Sequence, residues 1–150
     1  MTPSPVAGVP RMLLRAEGAA LFVAAVTLYA RSGASWWLFA MLFLAPDISF
    51  IAYFGGARSG AIGYNALHTL IGPLVLALTG LLLPASVPVS LALIWIAHIG
   101  FDRLLGYGLK YGAGFGYTHL GRVGKISALG QGTLSPPYRL GEYPREDLPP

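Results

Sequence analysis

Five ionisable side chains lie within stretches of sequence that are otherwise apolar. They are two histidines and three carboxylates: Glu17, Asp47, His68, His98 and Asp102. Imidazole and carboxylate groups without thiolates form a ligand set that suits zinc, iron or manganese, and the chain contains no cysteine. What these residues do depends on whether the stretches around them cross a membrane, because an ionisable group inside a membrane-spanning helix costs at least about 2.5 kcal/mol on insertion scales.

The composition is that of a membrane protein. Of the 150 residues, 55% are hydrophobic and 11% are charged, whereas about 25% of the residues in soluble domains are charged. Residues 59–101 contain no Asp, Glu, Lys or Arg, a run long enough for two bilayer crossings at about 20 residues each. The net charge of +4 does not indicate a nucleic-acid partner. The expected partner is the lipid bilayer.

Four membrane spans are predicted, joined by short turns. Their approximate bounds are 12–30, 35–54, 61–83 and 87–109. Short connections make neighbouring helices antiparallel, so the predicted fold is all-α, a polytopic up-down bundle of four transmembrane helices.

Three regions follow from these spans. An N-terminal arm is expected over residues 1–10, the transmembrane domain over 11–110 and a tail over 111–150. The tail is rich in Gly, Pro and Tyr, a composition that cannot bury a core of its own. We expect its first part to return to the bundle.

The basic residues predict the orientation of the bundle. One side of the predicted membrane carries seven of them: Arg11, Arg15, Arg58, Arg103, Lys110, Arg122 and Lys125. The opposite side carries only Arg31. Because cytoplasmic loops are enriched in Lys and Arg, both termini are predicted to face the cytoplasm.

The ionisable groups share one depth in the predicted bundle. At about 1.5 Å per residue, all five lie roughly 8–16 Å from the cytoplasmic end of their span. On the fourth span His98 and Asp102 are an i, i+4 pair on one helix face. On the third, Asn65 and His68 fall on one stripe with Tyr64 beside it. The sequence therefore predicts a single polar layer rather than scattered polar residues.

The first functional hypothesis is a metal-dependent hydrolase acting on a lipid-like substrate that enters from the cytoplasmic leaflet. The candidate ligands and catalytic groups are Asp47, His68, His98 and Asp102. The candidate substrate-binding residues are Tyr64, Asn65, Arg103 and Lys110, with His119 as a further ligand or cap. A metal with an open position activates water as a nucleophile. A kink at Pro46 would aim Asp47 inward, and the basic groups at the helix end would hold an anionic head group.

Other interpretations stay open. The layer can be a structural polar network that fixes helix register. The chain would then be a non-catalytic accessory subunit, whose tail docks on a larger membrane complex. The two histidines can also be axial ligands of a haem. Convergence of the four donor groups to within about 4–5 Å would favour a metal site, whereas donors that point to different helix pairs would favour the network.

A run of linked motifs resembles a known family. The motifs are Ala45-Pro46-Asp47, Tyr64-Asn65-x-x-His68-Thr69, Ala97-His98-Ile99-Gly100-Phe101-Asp102-Arg103, Gly106-Tyr107-Gly108-Leu109-Lys110-Tyr111 and Thr118-His119-Leu120-Gly121. Over about residues 11–125 the chain resembles small bacterial integral membrane proteins catalogued as domain of unknown function 4260. The resemblance implies a four-helix protein of the cell inner membrane, without an assigned activity. More loosely, a His on one span and a His-x-x-x-Asp pair on another are similar to membrane-bound metal-dependent hydrolases.

Overall fold

Four helical segments are long and apolar enough to cross a membrane in the computed structural model, which describes residues 5–83 and 85–123. They are Gly8–Arg31, Trp36–Gly55, Ala57–Leu82 and Ser86–Leu105. The predicted fold class, a polytopic all-α membrane protein, is therefore confirmed. Residues 124–150 of the predicted tail lie outside the described residues, and docking of the tail on a larger complex stays a prediction.

Two of the spans are interrupted, so the bundle contains more helices than spans. The helices are α1 (Gly8–Arg31), α2 (Trp36–Leu42), a 3-10 helix (Ala45–Gly55), α3 (Ala57–His68), α4 (Ile71–Leu82) and α5 (Ser86–Leu105). A short antiparallel hairpin follows, formed by β1 (Tyr117–Thr118) and β2 (Gly121–Arg122). Helix α5 packs against both α1 and α4, and the 3-10 helix packs against α3.

Helices α1 and α5 approach each other closely at two glycines. A Cβ atom built on Gly18 would lie 2.6 Å from the Cβ of Arg103, and one on Gly100 would lie 2.6 Å from the backbone nitrogen of Phe22. In a bilayer the hydrophobic effect does not drive helices together, so small residues that allow close backbone contact supply much of the packing. The two glycines therefore set the distance between α1 and α5.

The second span changes helix type at Pro46. Helix α2 ends at Leu42, and the 3-10 helix begins at Ala45 with Pro46 in its first turn. Proline has no N–H to bond the carbonyl four residues earlier, and the N–H of Asp47 bonds instead to the carbonyl of Leu44 at 3.1 Å. Asp47 thus lies in the first turn of the 3-10 helix, directly after the break.

The third span, predicted as one helix, breaks at Thr69. Its backbone there is extended, with φ −89° and ψ 149°. Pro73 has no N–H to bond the carbonyl of Thr69, and its ring would clash with that carbonyl in a continuous helix. The carbonyl of Leu67 accepts a hydrogen bond of 2.6 Å from the indole of Trp95. The helical stripe therefore stops at His68, which lies at the C-terminus of α3.

Helix α5 ends four residues before the predicted boundary because of Gly106. This residue has φ +94°, a backbone conformation that glycine adopts without the penalty of a Cβ. The N–H of Tyr107 bonds to the carbonyl of Asp102 at 2.8 Å, and that of Gly106 to the carbonyl of Arg103 at 3.0 Å. This pair of hydrogen bonds is a Schellman C-cap, which turns the chain back towards the bundle.

The segment after α5 is attached to the bundle by hydrogen bonds. The side-chain oxygen of Asn65 accepts from the backbone N–H of Lys110 at 2.7 Å, and its amide donates to the carbonyl of Lys110 at 2.9 Å. The N–H of Val6 donates to the carbonyl of His119 at 2.8 Å. The segment after α5 is thereby joined to α3, and the residues before α1 are joined to the hairpin region.

Candidate metal centre

Four of the five singled-out ionisable side chains converge at one point. They come from three elements: Asp47 from the 3-10 helix, His68 from the end of α3, and His98 and Asp102 from α5. The Nε2 atom of His68 lies 3.1 Å from Nε2 of His98, 3.4 Å from Oδ1 of Asp47 and 3.5 Å from Oδ2 of Asp102. All four donor atoms lie within 4.8 Å of one another. This is the convergence that favours a metal site. We call these residues the His/Asp cluster.

The spacing of the donor atoms is that of a small coordination shell. Four ligands at about 2.0–2.1 Å from a tetrahedral ion lie about 3.3 Å from one another. The two remaining distances from Nε2 of His98 are 3.6 Å to Asp47 and 3.9 Å to Asp102. Five of the six separations thus fall between 3.1 and 3.9 Å. Shifts of a few tenths of an ångström would bring these donors to ligand distance.

Tyr64 supports two members of the cluster. Its backbone carbonyl lies 2.9 Å from Nδ1 of His68, and its hydroxyl donates to Oδ2 of Asp102 at 2.9 Å. A carbonyl can only accept, so Nδ1 of His68 carries a proton, and in the neutral ring Nε2 directs its lone pair at the cluster. Metal-bound histidines are commonly held in this way. The ring of Tyr64 also stacks on the imidazole, with 3.6 Å between centroids.

His98 is buried, with 1% of its surface exposed. Its ring and that of Phe43 pack in a T-shaped arrangement, with centroids 5.6 Å apart. Its Nδ1 atom is buried and has no hydrogen-bond partner among residues 5–83 and 85–123. Within that part of the chain, the polar contacts of the side chain are made through Nε2 alone.

The cluster is more accessible from one side than from the other. The side chains of His68 and His98 are 3% and 1% exposed, whereas those of Asp47 and Asp102 are 32% and 17% exposed. The open side is therefore formed by the carboxylates, chiefly by Asp47. A ligand that approaches the cluster meets oxygen atoms first.

Lys110 is buried and directed into the protein. Its ammonium donates to the carbonyl of Phe115 at 3.0 Å and lies over the rings of Phe115 and Tyr64, 3.6 and 4.7 Å from their centroids. Burial lowers the pKa of Lys110, and the carboxylates of Asp102 and Asp47 act in the opposite direction. The ammonium is thus an electrostatic neighbour of the cluster. Its predicted role in head-group binding stays a prediction.

Arg103 lines a small cavity beside the cluster. The volume is about 10 Å³, and the lining includes Tyr64, His68 and Asp102. This is close to the minimum space that a single water molecule needs. The electrostatic neighbour of Arg103 is Glu17 of α1, the one singled-out carboxylate that is not part of the cluster.

His119 is not one of the cluster's donors. It lies half-buried beside Gly108, and its backbone N–H bonds to the carbonyl of Leu109. Burial lowers the pKa of the His119 imidazole, the backbone of Leu109 acts on the imidazole in the opposite direction, and the charge of Arg103 lowers the pKa further. The imidazole lies outside the ligand geometry of the cluster.

Sequence reasoning missed some residues that shape the site. The indole of Trp95 satisfies a carbonyl at the break after His68, a role that the sequence pattern did not indicate. Phe43 and Phe115, which contact His98 and Lys110, had no sequence signal beyond hydrophobicity. The break itself had a signal, because a proline four residues after Thr69 is incompatible with a continuous helix.

Comparison with known proteins gives a family and nothing more specific. A family model described as Domain of unknown function (DUF4260) matches residues 11–123. No curated protein and no solved structure matches the chain. The matched region begins in α1 and ends after β2, so it contains every residue of the His/Asp cluster.

Proposed function

Because this chain belongs to the DUF4260 family, whose description assigns no function, we propose a function from the His/Asp cluster. The protein binds one divalent metal ion inside the membrane and uses it to hydrolyse a lipid-like substrate. The ligands are Asp47, His68, His98 and Asp102. Zinc, iron and manganese are the metals that suit two imidazoles and two carboxylates.

The observation that carries the metal proposal is the position of Nε2 of His68. With the Nδ1 proton engaged by a carbonyl, this nitrogen directs its lone pair towards carboxylate oxygens of Asp47 and Asp102 at 3.4 and 3.5 Å. A neutral imidazole nitrogen and two anionic oxygens repel one another at these distances unless positive charge, as a proton or a metal ion, lies between them. A divalent ion supplies that charge and balances both carboxylates. Two carboxylates without a balancing charge would be costly to bury in an apolar bundle.

The accessible side of the cluster supports catalysis rather than a closed structural site. A bound divalent ion polarises a carbonyl or phosphoryl group and activates water. The protein's own contribution is Asp47, whose exposed carboxylate has a second oxygen that can accept a proton from the attacking water. Tyr64 holds His68 and Asp102 in position. The buried histidines would hold the ion from the side opposite the exposed carboxylate of Asp47.

An apolar groove beside Asp47 supports a lipid-like substrate. Its volume is about 270 Å³. It is lined by Leu42, Ala45, Pro46, Leu67, Leu76, Leu91, Ile94 and Trp95. Pro46 precedes Asp47 in the chain, so an acyl chain in the groove would bring its polar end to the open side of the cluster.

The same distances favour a compact ion over a haem. Axial histidines bind a haem iron from opposite faces of the macrocycle. Here the two Nε2 atoms are 3.1 Å apart, and carboxylate oxygens lie within 4 Å of both. A porphyrin ring would have to pass between these groups.

Hydrolysis is expected from the metal-loaded protein in lipid nanodiscs. The substrates are fluorogenic long-chain esters, amides and phosphodiesters, each tested beside a short-chain analogue. Asp47→Asn should lower turnover by at least about 100-fold, since a positioned general base contributes roughly 10²–10⁴-fold. Glu17→Gln removes a carboxylate outside the cluster and should leave the rate unchanged.

Two results would contradict parts of this proposal. Turnover that survives Asp47→Asn would remove Asp47 from the reaction. Stoichiometric metal without turnover of any substrate would reject the hydrolase while leaving the metal centre. Co-purification of the chain with a larger membrane complex would then favour an accessory subunit.

We also propose that both termini face the cytoplasm of a bacterial inner membrane, because basic residues are concentrated at that end of the bundle. The absence of cysteine allows a direct test with single conservative changes. In intact cells, an impermeant thiol reagent should label Ser32→Cys and should reach Ser59→Cys only after lysis. Labelling in the opposite order would reverse the orientation.

A further inference from the structure

A second polar cavity lies at the end of the bundle where α1 begins and α5 ends. Its volume is about 290 Å³. It is lined by Arg11, Arg15, Leu105, Gly106, Tyr107, Leu120, Gly121 and Val123. Three separate parts of the chain thus form its wall: the first turns of α1, the C-cap of α5 and the hairpin. None of the His/Asp cluster residues lines it.

Arg15 is held in place at the rim of this cavity. Its Nε donates to the carbonyl of Leu104 at 2.9 Å, one of the α5 carbonyls that have no partner within the helix. This bond fixes the plane of the guanidinium and leaves the two terminal nitrogens for another acceptor. Arginine binds phosphate and carboxylate groups well because its donors form a planar fork.

Arg11 carries a positive charge without an acidic partner in the described part of the chain. Its side chain makes no hydrogen bond or ion pair within residues 5–83 and 85–123. A Cβ atom built on Gly121 would lie 3.1 Å from an Nη atom of Arg11. The hairpin backbone therefore lies close to the guanidinium, and a side chain at position 121 would crowd the guanidinium. Glu17 is also on α1 but does not line the cavity.

We infer that this cavity binds a phosphate group through Arg11 and Arg15. The phosphate is either the head group of an anionic lipid or part of a free phosphorylated solute. Two guanidinium groups facing one concave space provide paired donors for a doubly charged anion. The position of the cavity at the end of a membrane-spanning bundle places it where lipid head groups lie. The inference does not depend on metal binding, because the two sites share no residue.

The test compares Arg11→Gln with Arg58→Gln in the full-length protein. Both changes remove one exposed arginine from the same end of the bundle, but Arg58 does not line the cavity. Arg15 is less suitable as the main variant, because it also caps α5. Binding is measured by native mass spectrometry with phosphatidic acid against phosphatidylcholine, and by calorimetry with inorganic phosphate.

Selective binding of phosphatidic acid should fall by about tenfold in Arg11→Gln, since one charge-assisted contact is worth roughly that factor. The Arg58→Gln variant should bind as the wild type does. If inorganic phosphate binds with the same dependence on Arg11 while the lipid does not, the ligand is a free phosphorylated solute. Equal losses in both variants would show diffuse surface charge and overturn the site. So would a wild-type protein that binds neither probe.

Discussion

Replacing His68 by Ala is expected to lower the affinity of the protein for a divalent metal by at least about 100-fold, because even supporting residues around metal sites change affinity by 10–100-fold. Nε2 of His68 is the donor atom nearest to the other three, with separations of 3.1–3.5 Å. The substitution therefore removes the donor that lies closest to all the others. A titration against a competing chelator, with the protein in detergent or nanodiscs, measures the change.

The matched control is His119→Ala. It also deletes an imidazole from the DUF4260 region, but that imidazole is outside the cluster. Metal affinity should be unchanged in this variant. If the two substitutions reduce metal binding equally, or if neither does, the cluster does not hold the ion and the structural polar network becomes the better account.

Replacing Gly18 by Val is expected to separate α1 from α5 and destabilise the bundle by about 1–3 kcal/mol or more, the usual cost of overpacking a core. The new side chain would meet Arg103 and the backbone of α5 at 2.6–2.9 Å. Helix backbones cannot yield there without shifting the whole helix. Because α5 carries His98 and Asp102, metal affinity should fall together with the melting temperature.

Ala20→Val is the control for this change. It introduces the same β-branched side chain into the same helix at a position exposed on the outside of the bundle. Its melting temperature should remain close to that of the wild type. Equal stability of the Gly18 and Ala20 variants would show that α1 and α5 do not approach each other as closely as the structure indicates.

The membrane spans could be predicted because hydrophobicity alone determines them. Long apolar runs separated by Gly, Pro and charged residues leave little choice of boundary, and the predicted limits agree with the observed spans to within about four residues. The larger errors have local causes. Gly106 stops α5 before residue 109, and α1 extends back to Gly8, because Pro10 in the first turn loses no intrahelical hydrogen bond.

The interruptions within spans were harder to predict. Pro46 gave a clear signal for a kink, but its position does not determine that eleven residues continue as a 3-10 helix. The break at Thr69 depends on Pro73 together with the indole of Trp95, which satisfies the freed carbonyl of Leu67. That partner comes from another helix, so local sequence cannot identify it.

The four residues of the His/Asp cluster could be predicted from the sequence, but the groups that hold them in position could not. Equal depth and helical phase placed Asp47, His68, His98 and Asp102 in one layer, since both follow from counting residues. The orientation of His68 depends on the backbone carbonyl of Tyr64. Every residue has such a carbonyl, so the residue type does not show which one accepts the hydrogen bond. The cavity beside Arg11 required the hairpin to fold back, a long-range arrangement that spacing along the chain does not encode.

X-ray absorption spectroscopy of the purified wild-type protein saturated with zinc tests the central claim most directly. We expect one ion per chain, with nitrogen and oxygen ligands at about 2.0–2.2 Å and the multiple scattering of two imidazole rings. The spectrum should lose the imidazole contribution when His68 and His98 are both replaced by Ala. A wild-type protein that retains no zinc after dialysis, or a spectrum unchanged by the double substitution, would contradict the account.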